Sequence, residues 1–512
     1  MRISGSLLVG ANVTAHDRRL RVYIFLAWLA LVAWFLSGHS FWRDEVRGFS
    51  LALSGSNFIE MLRNVHGEGH PAIWYLILRS LHDVFPYREV LPAAGAAIGI
   101  AAMAILTFLS PFRTVLIALV LFSYFGAFEY VVVARNYGLA ALVMFALAAL
   151  YNRIRDSLWF GLILAILANT NVPSCILAAM FLLFRFVELL TERRSASKQQ
   201  WVTFAGNAVL AAAGALLCFI TVYPTFNDAA VSPRFNKFGL STLVSSMLDS
   251  KYGFHDLTST VWAPLAPVLL LLSCFGLIRK PAAFSASLAG LIALKLFFFF
   301  VYRSYYRHEV LFIVFLLSLY WMVANGAGGR WPGRSRCRAL QFYGSGAFIL
   351  LVALQTALVP TIIFEQATDR PLSQSSNVGK LLKEPKLRRA IVMSDTDFML
   401  ETMPYYVNND LWFARERRFG QVTHLTNHSR VVLSLDDLVA DARQLHRRTG
   451  RPVLFITHLR LAPVYSDKWE MFQDTTYITP ANVKRFHSSM RLIAKLRPAR
   501  TDEDFDVYLY PR

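Results

Sequence analysis

The sequence predicts a polytopic α-helical membrane protein, with about 11 to 13 transmembrane helices and a C-terminal α/β domain outside the membrane. The 512 residues are 55% hydrophobic and only 17% charged, and the mean hydropathy is +0.42. A soluble chain of this length would need more charge on its surface. Apolar stretches of bilayer-spanning length, roughly 17 to 25 residues, recur from residue 22 to residue 361. After residue 362 the pattern changes to short strands and an amphipathic helix.

The membrane domain is predicted to occupy residues 1–361. Its apolar segments lie near 22–38, 71–86, 90–109, 114–131, 136–151, 158–186, 203–222, 261–278, 283–301, 310–325 and 341–361. The segment 158–186 is too polar in its middle, "ANTNVPS", for one plain helix. Asn169, Thr170, Asn171 and Pro173 there predict two half-helices, because irregular backbone at membrane depth needs local hydrogen-bond partners.

The formal net charge of +19 raises nucleic acid as a partner, but the charge distribution favours membrane lipid instead. Arginines cluster in short loops between apolar segments, at 18–21, 185–198 and 330–338. This bias is typical of cytoplasmic loops. Counting from the loop 330–338 places the loops 223–260 and 302–309 outside, with the C-terminal domain. Counting from a cytoplasmic N-terminus disagrees by one crossing, so one segment between 70 and 131 is wrongly assigned.

The C-terminal domain is predicted to span residues 362–512. "RRAIVMSD" (388–395) and "RPVLFITH" (451–458) are typical of buried strands, and "DFDVYLYPR" closes the chain with strand character. Residues 434–448 predict an amphipathic helix with Ser434 as its cap. Strand and helix alternate, which favours an α/β domain. No glycine-rich phosphate loop follows either early strand, and the four cysteines lack zinc spacing.

The first outer loop, 39–70, contains the candidate catalytic residues. "FWRDEVRGF" (41–49) places Asp44 and Glu45 between Arg43 and Arg47. One interpretation is an interfacial acidic pair that the arginines neutralise. The other is a catalytic base near the bilayer, because burial raises and a neighbouring arginine lowers a carboxyl pKa. On the second interpretation, the flanking arginines keep the acids ionised near lipid.

"HGEGHPAIWYLIL" (66–78) places His70 directly before a helix start, where proline is well tolerated. His70 is either an interfacial cap or a contact for sugar or phosphate. His66 and Glu68 alternate with it, so the three could share a face of an extended segment. This weak pattern leaves a divalent metal possible, but we assign no metal ligand and no certain cofactor.

Two further helix boundaries contain arginine beside aromatic residues or histidine. "ARNYGLA" includes Arg135 and Tyr137, and "YYRHEVLF", with the preceding residues, includes Arg303, Arg307 and His308. Tyrosine and arginine at an interface are commonly belt and snorkelling residues. However, the guanidinium fork suits phosphate. An acid pair facing an arginine cluster therefore indicates transfer from an anionic, lipid-linked donor.

The order "RDE", "HPAIWYLIL", "ARNYGLA" and "YYRHEVLF" resembles the GT-C membrane glycosyltransferases. The branch it resembles contains the protein O-mannosyltransferases and the lipid A aminoarabinose transferases (families 39 and 83). The resemblance covers roughly residues 20 to 360. The chain departs from the family pattern where "HPA" replaces Pro-Pro, "NTNVPS" replaces a Thr-Lys element and "RHEV" replaces an Arg-Tyr-Leu run.

The resemblance implies a GT-C fold and a polyprenyl-phosphate-sugar-dependent glycosyltransferase. A hexosyl or pentosyl group would move, with inversion, to a hydroxyl of a glycan, lipid or protein acceptor. Asp44 would deprotonate that hydroxyl, and Glu45 would orient the acceptor or assist at the phosphate. The leaving phosphate would be stabilised by Arg135, Arg303 and Arg307. The other substrate-binding residues that we expect are His70, Tyr137, Asn171 and His308.

We expect a multi-pass protein of a bacterial inner membrane, with the C-terminal domain on the periplasmic side. Two alternatives stay open. A transporter or flippase of a lipid-linked sugar would also combine many helices with charge, but usually has internal repeats, which this sequence does not show. A polymer or lipid A ligase of the other GT-C branch would place its essential residues in one large late outer loop.

Overall fold

The computed structural model describes residues 7–10, 14–191, 196–223, 253–259, 261–329, 337–424, 428–461, 468–471 and 474–511. The predicted outer loop 223–260 and basic loop 330–338 therefore lie mostly outside the described residues. What is described consists of a helical region followed by a domain that contains all the named strands.

Eight of the described helices are long and apolar enough to cross a membrane. They are Ala15–Ser37 (α1), Val90–Leu109 (α5), Tyr137–Ile154 (α7), Val172–Thr191 (α9), Lys198–Val222 (α10), Pro281–Phe300 (α12), Tyr306–Ala324 (α13) and the stretch Arg338–Ala367, which comprises Arg338–Thr356 (α14) and Val359–Ala367 (α15). Shorter apolar helices are Leu158–Ala168 (α8) and Leu265–Phe275 (α11). The prediction of a polytopic helical membrane region is confirmed.

The predicted break in the segment 158–186 is confirmed. Helix α8 ends at Ala168 and α9 begins at Val172. The side chain of Asn169 donates to the carbonyls of Ala165 and Gly214, both at 2.9 Å. These bonds satisfy a carbonyl near the end of α8 and fix the break to α10, as an apolar environment requires.

Three short helices lie between α1 and α5. They are Arg43–Ala52 (α2), Phe58–Val65 (α3) and Ile73–Val84 (α4). A 12-residue helix such as α4 is about 18 Å long, well short of the roughly 30 Å hydrocarbon core. The segment predicted at 71–86 is therefore too short to span as a helix, and it is not among the helices that are long and apolar enough to cross a membrane. One face of α4 is apolar and buried, and its residues give the segment the hydropathy of a membrane-spanning helix.

The next segment, 114–131, forms Thr114–Leu121 (α6) and a π-helical turn, Phe125–Glu129. The chain then runs irregularly from Tyr130 to Asn136 before α7. Glycines allow α5 and α7 to pack directly on this loop: a Cβ at either Gly99 or Gly138 would lie 2.5 Å from the carbonyl oxygen of Tyr130. The glycine of "ARNYGLA" thus has a packing role, since only glycine permits so close an approach.

Helix α13 is buried along nearly its whole length and contacts α7, α9 and α12. Its start is fixed to the loop 130–136 by Tyr130, whose hydroxyl donates to the carbonyl of Arg307 at 2.7 Å. Two helix boundaries that are distant in sequence are therefore adjacent. We call the side of the helical region that carries α2, the loop 130–136 and the start of α13 the Asp44 face.

The C-terminal domain has a six-stranded sheet in the order β3-β2-β1-β5-β9-β8. Its strands are Ile391–Ser394 (β1), Leu411–Phe413 (β2), Arg418–Phe419 (β3), Val453–Thr457 (β5), Arg491–Leu496 (β8) and Phe505–Tyr510 (β9). Strand β1 runs parallel to β2 and β5, with Val392 opposite Leu411 and Leu454, whereas β9 is antiparallel to β5 and β8. The strands predicted at 388–395, at 451–458 and at the end of the chain are confirmed.

A smaller sheet has the order β4-β7-β6, formed by Val432–Ser434 (β4), Lys468–Met471 (β6) and Asp474–Tyr477 (β7). The domain helices are Ser375–Leu382 (α16), Met403–Tyr406 (α17), Leu435–Thr449 (α18) and Pro480–Ser489 (α19). The predicted helix 434–448 is confirmed as α18. Ser434 and Asp437 form its capping box, and Gly450, with φ of 67°, ends it in the left-handed conformation that glycine favours.

Candidate functional site

Helix α2 presents its first residues to different parts of the protein. Successive residues of a helix are about 100° apart, so Arg43 and Arg47 share one side and Asp44 and Glu45 point elsewhere. Arg43 and Arg47 contact acids beyond residue 400, Asp44 faces arginines of two other segments, and Glu45 is enclosed beside Ala134. The four charges of "RDEVR" therefore have three separate environments.

The carboxylate of Asp44 contacts two guanidinium groups. Arg135 of the loop 130–136 donates to its Oδ2, and Arg307 of α13 lies 3.6 Å from the same oxygen. The Asp44 side chain is 32% exposed, while those of Arg135 and Arg307 are 10% and 13% exposed. Asp44, Arg135 and Arg307 together carry a formal charge of +1, and Asp44 is the most exposed of the three. Such a cluster can receive a further anion.

Burial raises the pKa of the Asp44 carboxyl, but Arg135, Arg307 and Arg43 outweigh it and hold this pKa well below its ordinary value. Asp44 is therefore ionised at neutral pH. While both guanidiniums stay on it, the carboxylate is a weak base. Its basicity rises when either guanidinium binds another anion, because each contributes to the low pKa.

His70 supports Arg135 from the opposite side. The Nη2 of Arg135 donates to the Nε2 of His70 at 3.1 Å, so this ring nitrogen is the unprotonated acceptor. Burial, and then the charge of Arg135, lowers the pKa of His70 to about 3, which keeps the ring neutral throughout the physiological range. Glu68, two residues earlier, is ion-paired to Arg47 instead of joining His66 and His70. Among the described residues no group of three His, Cys, Asp or Glu side chains is arranged to hold a metal ion.

Glu45 is fully buried and all its contacts are internal. It accepts hydrogen bonds from the backbone N–H of Ala134 at 2.8 Å and from that of Trp42 at 3.2 Å. The Nε2 of His39 lies 3.0 and 3.1 Å from its two oxygens. Glu45 thus connects the start of α2 to the loop that contains Arg135, and it presents no exposed oxygen to a substrate.

Tyr137 and His308 form a buried pair beneath the cluster. The Tyr137 hydroxyl lies 2.8 Å from the Nε2 of His308, and the backbone N–H of Tyr305 donates to the Nδ1 of His308 at 3.0 Å. Both ring nitrogens of His308 are therefore bonded within the protein. The guanidinium of Arg135 lies 5.6 Å from the centre of the Tyr137 ring, which is within cation–π range.

The two other predicted substrate-binding residues lie apart from these contacts. Asn171 is buried in the break between α8 and α9, where its side chain accepts the backbone N–H of Ser174 at 2.9 Å and caps α9. Arg303 lies exposed on the loop before α13. Of the two arginines predicted on this loop and helix, the structure brings only Arg307 against Asp44.

Sequence reasoning missed Trp42, whose ring lies 4.8 Å from the guanidinium carbon of Arg307. Its position two residues before Asp44 was the available signal. Of the two flanking arginines expected to keep the acids ionised, Arg43 does lower the pKa of Asp44, but by less than Arg135 and Arg307 do. Arg43 binds Asp502 and Glu503, whereas Arg47 binds Glu68 and Glu401. Other acids neutralise these arginines, so Arg135 and Arg307 have the larger effect on Asp44.

No family model and no curated protein matches this chain. Among solved structures, the chain is similar to the crystal structure of ArnT from Cupriavidus metallidurans bound to undecaprenyl phosphate. The alignment covers 95% of this chain and 97% of ArnT, with 14% identical residues and a TM-score of 0.42. Because the TM-score is this low, the functional assignment below rests on the site geometry.

Proposed function

We propose that this protein is a membrane glycosyltransferase that transfers a sugar from a polyprenyl-phosphate donor to an acceptor hydroxyl, with inversion. The observation that carries the proposal is the contact of Asp44 with Arg135 and Arg307. These three residues come from separate segments and converge at one face of the helical region. A carboxylate beside two guanidiniums combines a group that accepts a proton with groups that bind phosphate.

In the proposed reaction, the acceptor oxygen attacks the anomeric carbon from the face opposite the phosphate. The bond between that carbon and the phosphate oxygen breaks, and its electron pair leaves with the polyprenyl phosphate. The hydroxyl proton passes to Asp44. Attack from the opposite face inverts the anomeric configuration.

Arg135 and Arg307 stabilise the negative charge that develops on the leaving phosphate. When the phosphate binds either guanidinium, that guanidinium stabilises the Asp44 carboxylate less. The pKa of Asp44 then rises towards its ordinary value and the carboxylate becomes a better base. His70 accepts a hydrogen bond from Arg135 and so fixes one guanidinium fork without adding a charge of its own. Donor binding and activation of the base thus involve the same two arginines.

The cellular setting follows from the same proposal. A polyprenyl-phosphate donor lies in the membrane, so the Asp44 face lies at a membrane surface, which we assign to the outer, periplasmic side of a bacterial inner membrane. The C-terminal domain contacts α2 and therefore lies on that same side. The acceptor is a hydroxyl of a glycan, a lipid or a protein.

The test uses purified protein and a panel of radiolabelled polyprenyl-phosphate sugars. We expect one donor to be consumed, with equimolar release of polyprenyl phosphate and label appearing on an added acceptor fraction. The control variant is Asp83→Asn, which removes a half-exposed carboxylate on α4 whose ion-pair partner within the described part of the chain is Arg79. If no donor is consumed but lipid-linked sugar moves across proteoliposomes, the chain is a flippase and the proposal is wrong.

A further inference from the structure

Outside the cluster of Asp44, Arg135 and Arg307, helix α2 also contacts the C-terminal domain. Arg43 is the first residue of α2, and its side chain binds Asp502 in a bidentate pair, with distances of 2.7 and 3.0 Å. The same guanidinium donates to Oε1 of Glu503 at 3.2 Å. These partners are about 460 residues away in the chain, so the contact is a tertiary one.

Glu503 also binds the backbone of α2. Its Oε1 accepts the N–H of Arg43 at 2.9 Å, and this N–H belongs to the first turn, where a helix has no acceptor of its own. A carboxylate at a helix N-terminus is further favoured by the helix dipole. Glu503 is fully buried, whereas Asp502 is 36% exposed. Glu503 therefore acts as an N-terminal cap for α2 that is supplied by another domain.

A second contact lies one helical turn further along. Arg47 donates to Glu401 and to Thr423, whose Oγ1 and carbonyl lie 3.2 and 3.1 Å from its nitrogens. Glu401 is held in turn by the backbone N–H of Thr423 at 2.8 Å. Residues i and i+4 lie on the same side of a helix, so both contacts bind one side of α2.

The chain segment before α2 is fixed by the same domain. The hydroxyl of Tyr406 accepts the backbone N–H of Phe41 at 2.8 Å, and the hydroxyl of Ser40 donates to the carbonyl of Ser373 at 2.7 Å. Helix α2 has only 10 residues, too few for a stable isolated helix in water. Its orientation therefore depends on what binds it, and Asp44 lies between the two arginines that the domain binds.

We propose that the C-terminal domain is a positioning element of the transferase, in which Glu503 and Glu401 hold α2 so that Asp44 meets Arg135 and Arg307. This inference rests on the proposed function for its catalytic consequence, but the contacts by which Glu503 and Glu401 hold α2 are independent of that function. Glu503 and Glu401 are positioning residues because they act through α2 and not on the reacting atoms. Displacement of a reacting group by about 1 Å can cost roughly 10²-fold in rate.

The test compares Glu503→Ala with Glu503→Gln in the full-length purified protein. The alanine variant removes the cap, and we expect kcat to fall by about 10- to 100-fold. The donor KM should stay within about twofold, because Arg135 and Arg307 are on other segments. The glutamine variant keeps an acceptor for the Arg43 N–H, so most of kcat should return. Equal loss in both variants would contradict the cap.

A double-variant cycle and a matched control complete the test. Arg43→Ala combined with Glu503→Ala should be no slower than the worse single variant, because the two residues act through each other. The control is Arg497→Gln, which removes a largely buried arginine, 18% exposed, that is paired with Asp504 and Asp506 in the same domain. If Arg497→Gln lowers kcat as much as Glu503→Ala, the effect is general destabilisation of the domain and the inference is wrong.

Hydrogen exchange of the α2 amides separates this inference from the proposed function. We expect faster exchange in Glu503→Ala and Arg43→Ala, and exchange like that of the unmodified protein in Arg497→Gln. Unchanged exchange in α2 for both variants would overturn the inference. If the unmodified protein consumes no donor, the proposed function is wrong, while the exchange data still decide whether the domain holds α2.

Discussion

The substitution Glu45→Gln distinguishes a positioning role for Glu45 from a chemical one. The carboxylate accepts the N–H of Ala134 on one oxygen and the N–H of Trp42 on the other. Glutamine has the same shape but only one oxygen. If this oxygen keeps the Ala134 bond, the amide NH₂ faces the N–H of Trp42, and two donors oppose each other. His39 can adapt by changing its tautomer, but a backbone N–H cannot.

One buried N–H without an acceptor costs about 1 to 3 kcal/mol, which corresponds to roughly a 5- to 150-fold increase in local opening. We therefore expect amide exchange to rise by a factor in this range in the loop 130–136 and in the first turn of α2. Transfer should persist, reduced by no more than about 10-fold, because Asp44 and its arginines are unchanged.

The assay measures exchange by mass spectrometry and kcat with the donor identified in the panel, both on purified Glu45→Gln protein. Asp83→Asn on α4 again serves as the control for loss of a carboxylate. If Glu45→Gln abolishes transfer while exchange in both segments stays as in the unmodified protein, Glu45 takes part in the chemistry. The reasoning from its buried contacts would then be refuted.

Three further predictions concern groups around and beyond the cluster. Burial raises the pKa of Asp397 from its ordinary value of 3.8 to about 8, so the stability this group contributes is full below pH 3.8 and is lost as pH rises through 8. Because this loss begins near pH 3.8 and is complete only above pH 8, Asp397→Asn should slow exchange of the β1 amides much more at pH 9 than at pH 5, after correction for intrinsic rates; an equal change at both pH values would contradict this. His70→Ala should lower kcat/KM roughly 10-fold, because Arg135 loses the ring that fixes its guanidinium. Plots of kcat/KM against pH for the variant and the unmodified protein should run parallel between pH 5 and 8. An ionisation near pH 6.5 that is present only in the unmodified protein would contradict a neutral His70. Arg307→Ala should raise the donor KM by about 10-fold or more, and Arg303→Ala should raise it by less than about threefold. Equal increases in KM would contradict a larger role in donor binding for the buried Arg307 than for the exposed Arg303.

Much of the fold follows from local signals in the sequence. The strand at 391–394 is a short buried apolar run, and the helix 435–449 has a capping box at its start and glycine after its end. The break at Asn169–Asn171 was predictable because amides and proline interrupt an apolar segment. The failure at 71–86 has a physical cause as well: a helix with one apolar face and 12 residues resembles a spanning segment in hydropathy, but its length does not suffice.

The site was predictable only in part. The sequence points to Asp44, Arg135 and Arg307 because each lies at the end of an apolar segment, and a common face brings such ends together. It does not decide which carboxylate of the adjacent pair is enclosed, because that depends on the backbone N–H of Ala134. Nor does it indicate Glu503, since a contact across about 460 residues leaves no periodic signal.

The most direct test of the account is the rate of transfer by Asp44→Asn. Asparagine keeps the size of the side chain and one oxygen for the arginines, but it cannot accept the acceptor's proton. We expect kcat to fall by about 10²- to 10⁴-fold, the usual contribution of a general base, with unchanged expression and membrane insertion. Asp83→Asn should keep full activity. Full activity in purified Asp44→Asn protein would contradict the assignment of Asp44 as the base.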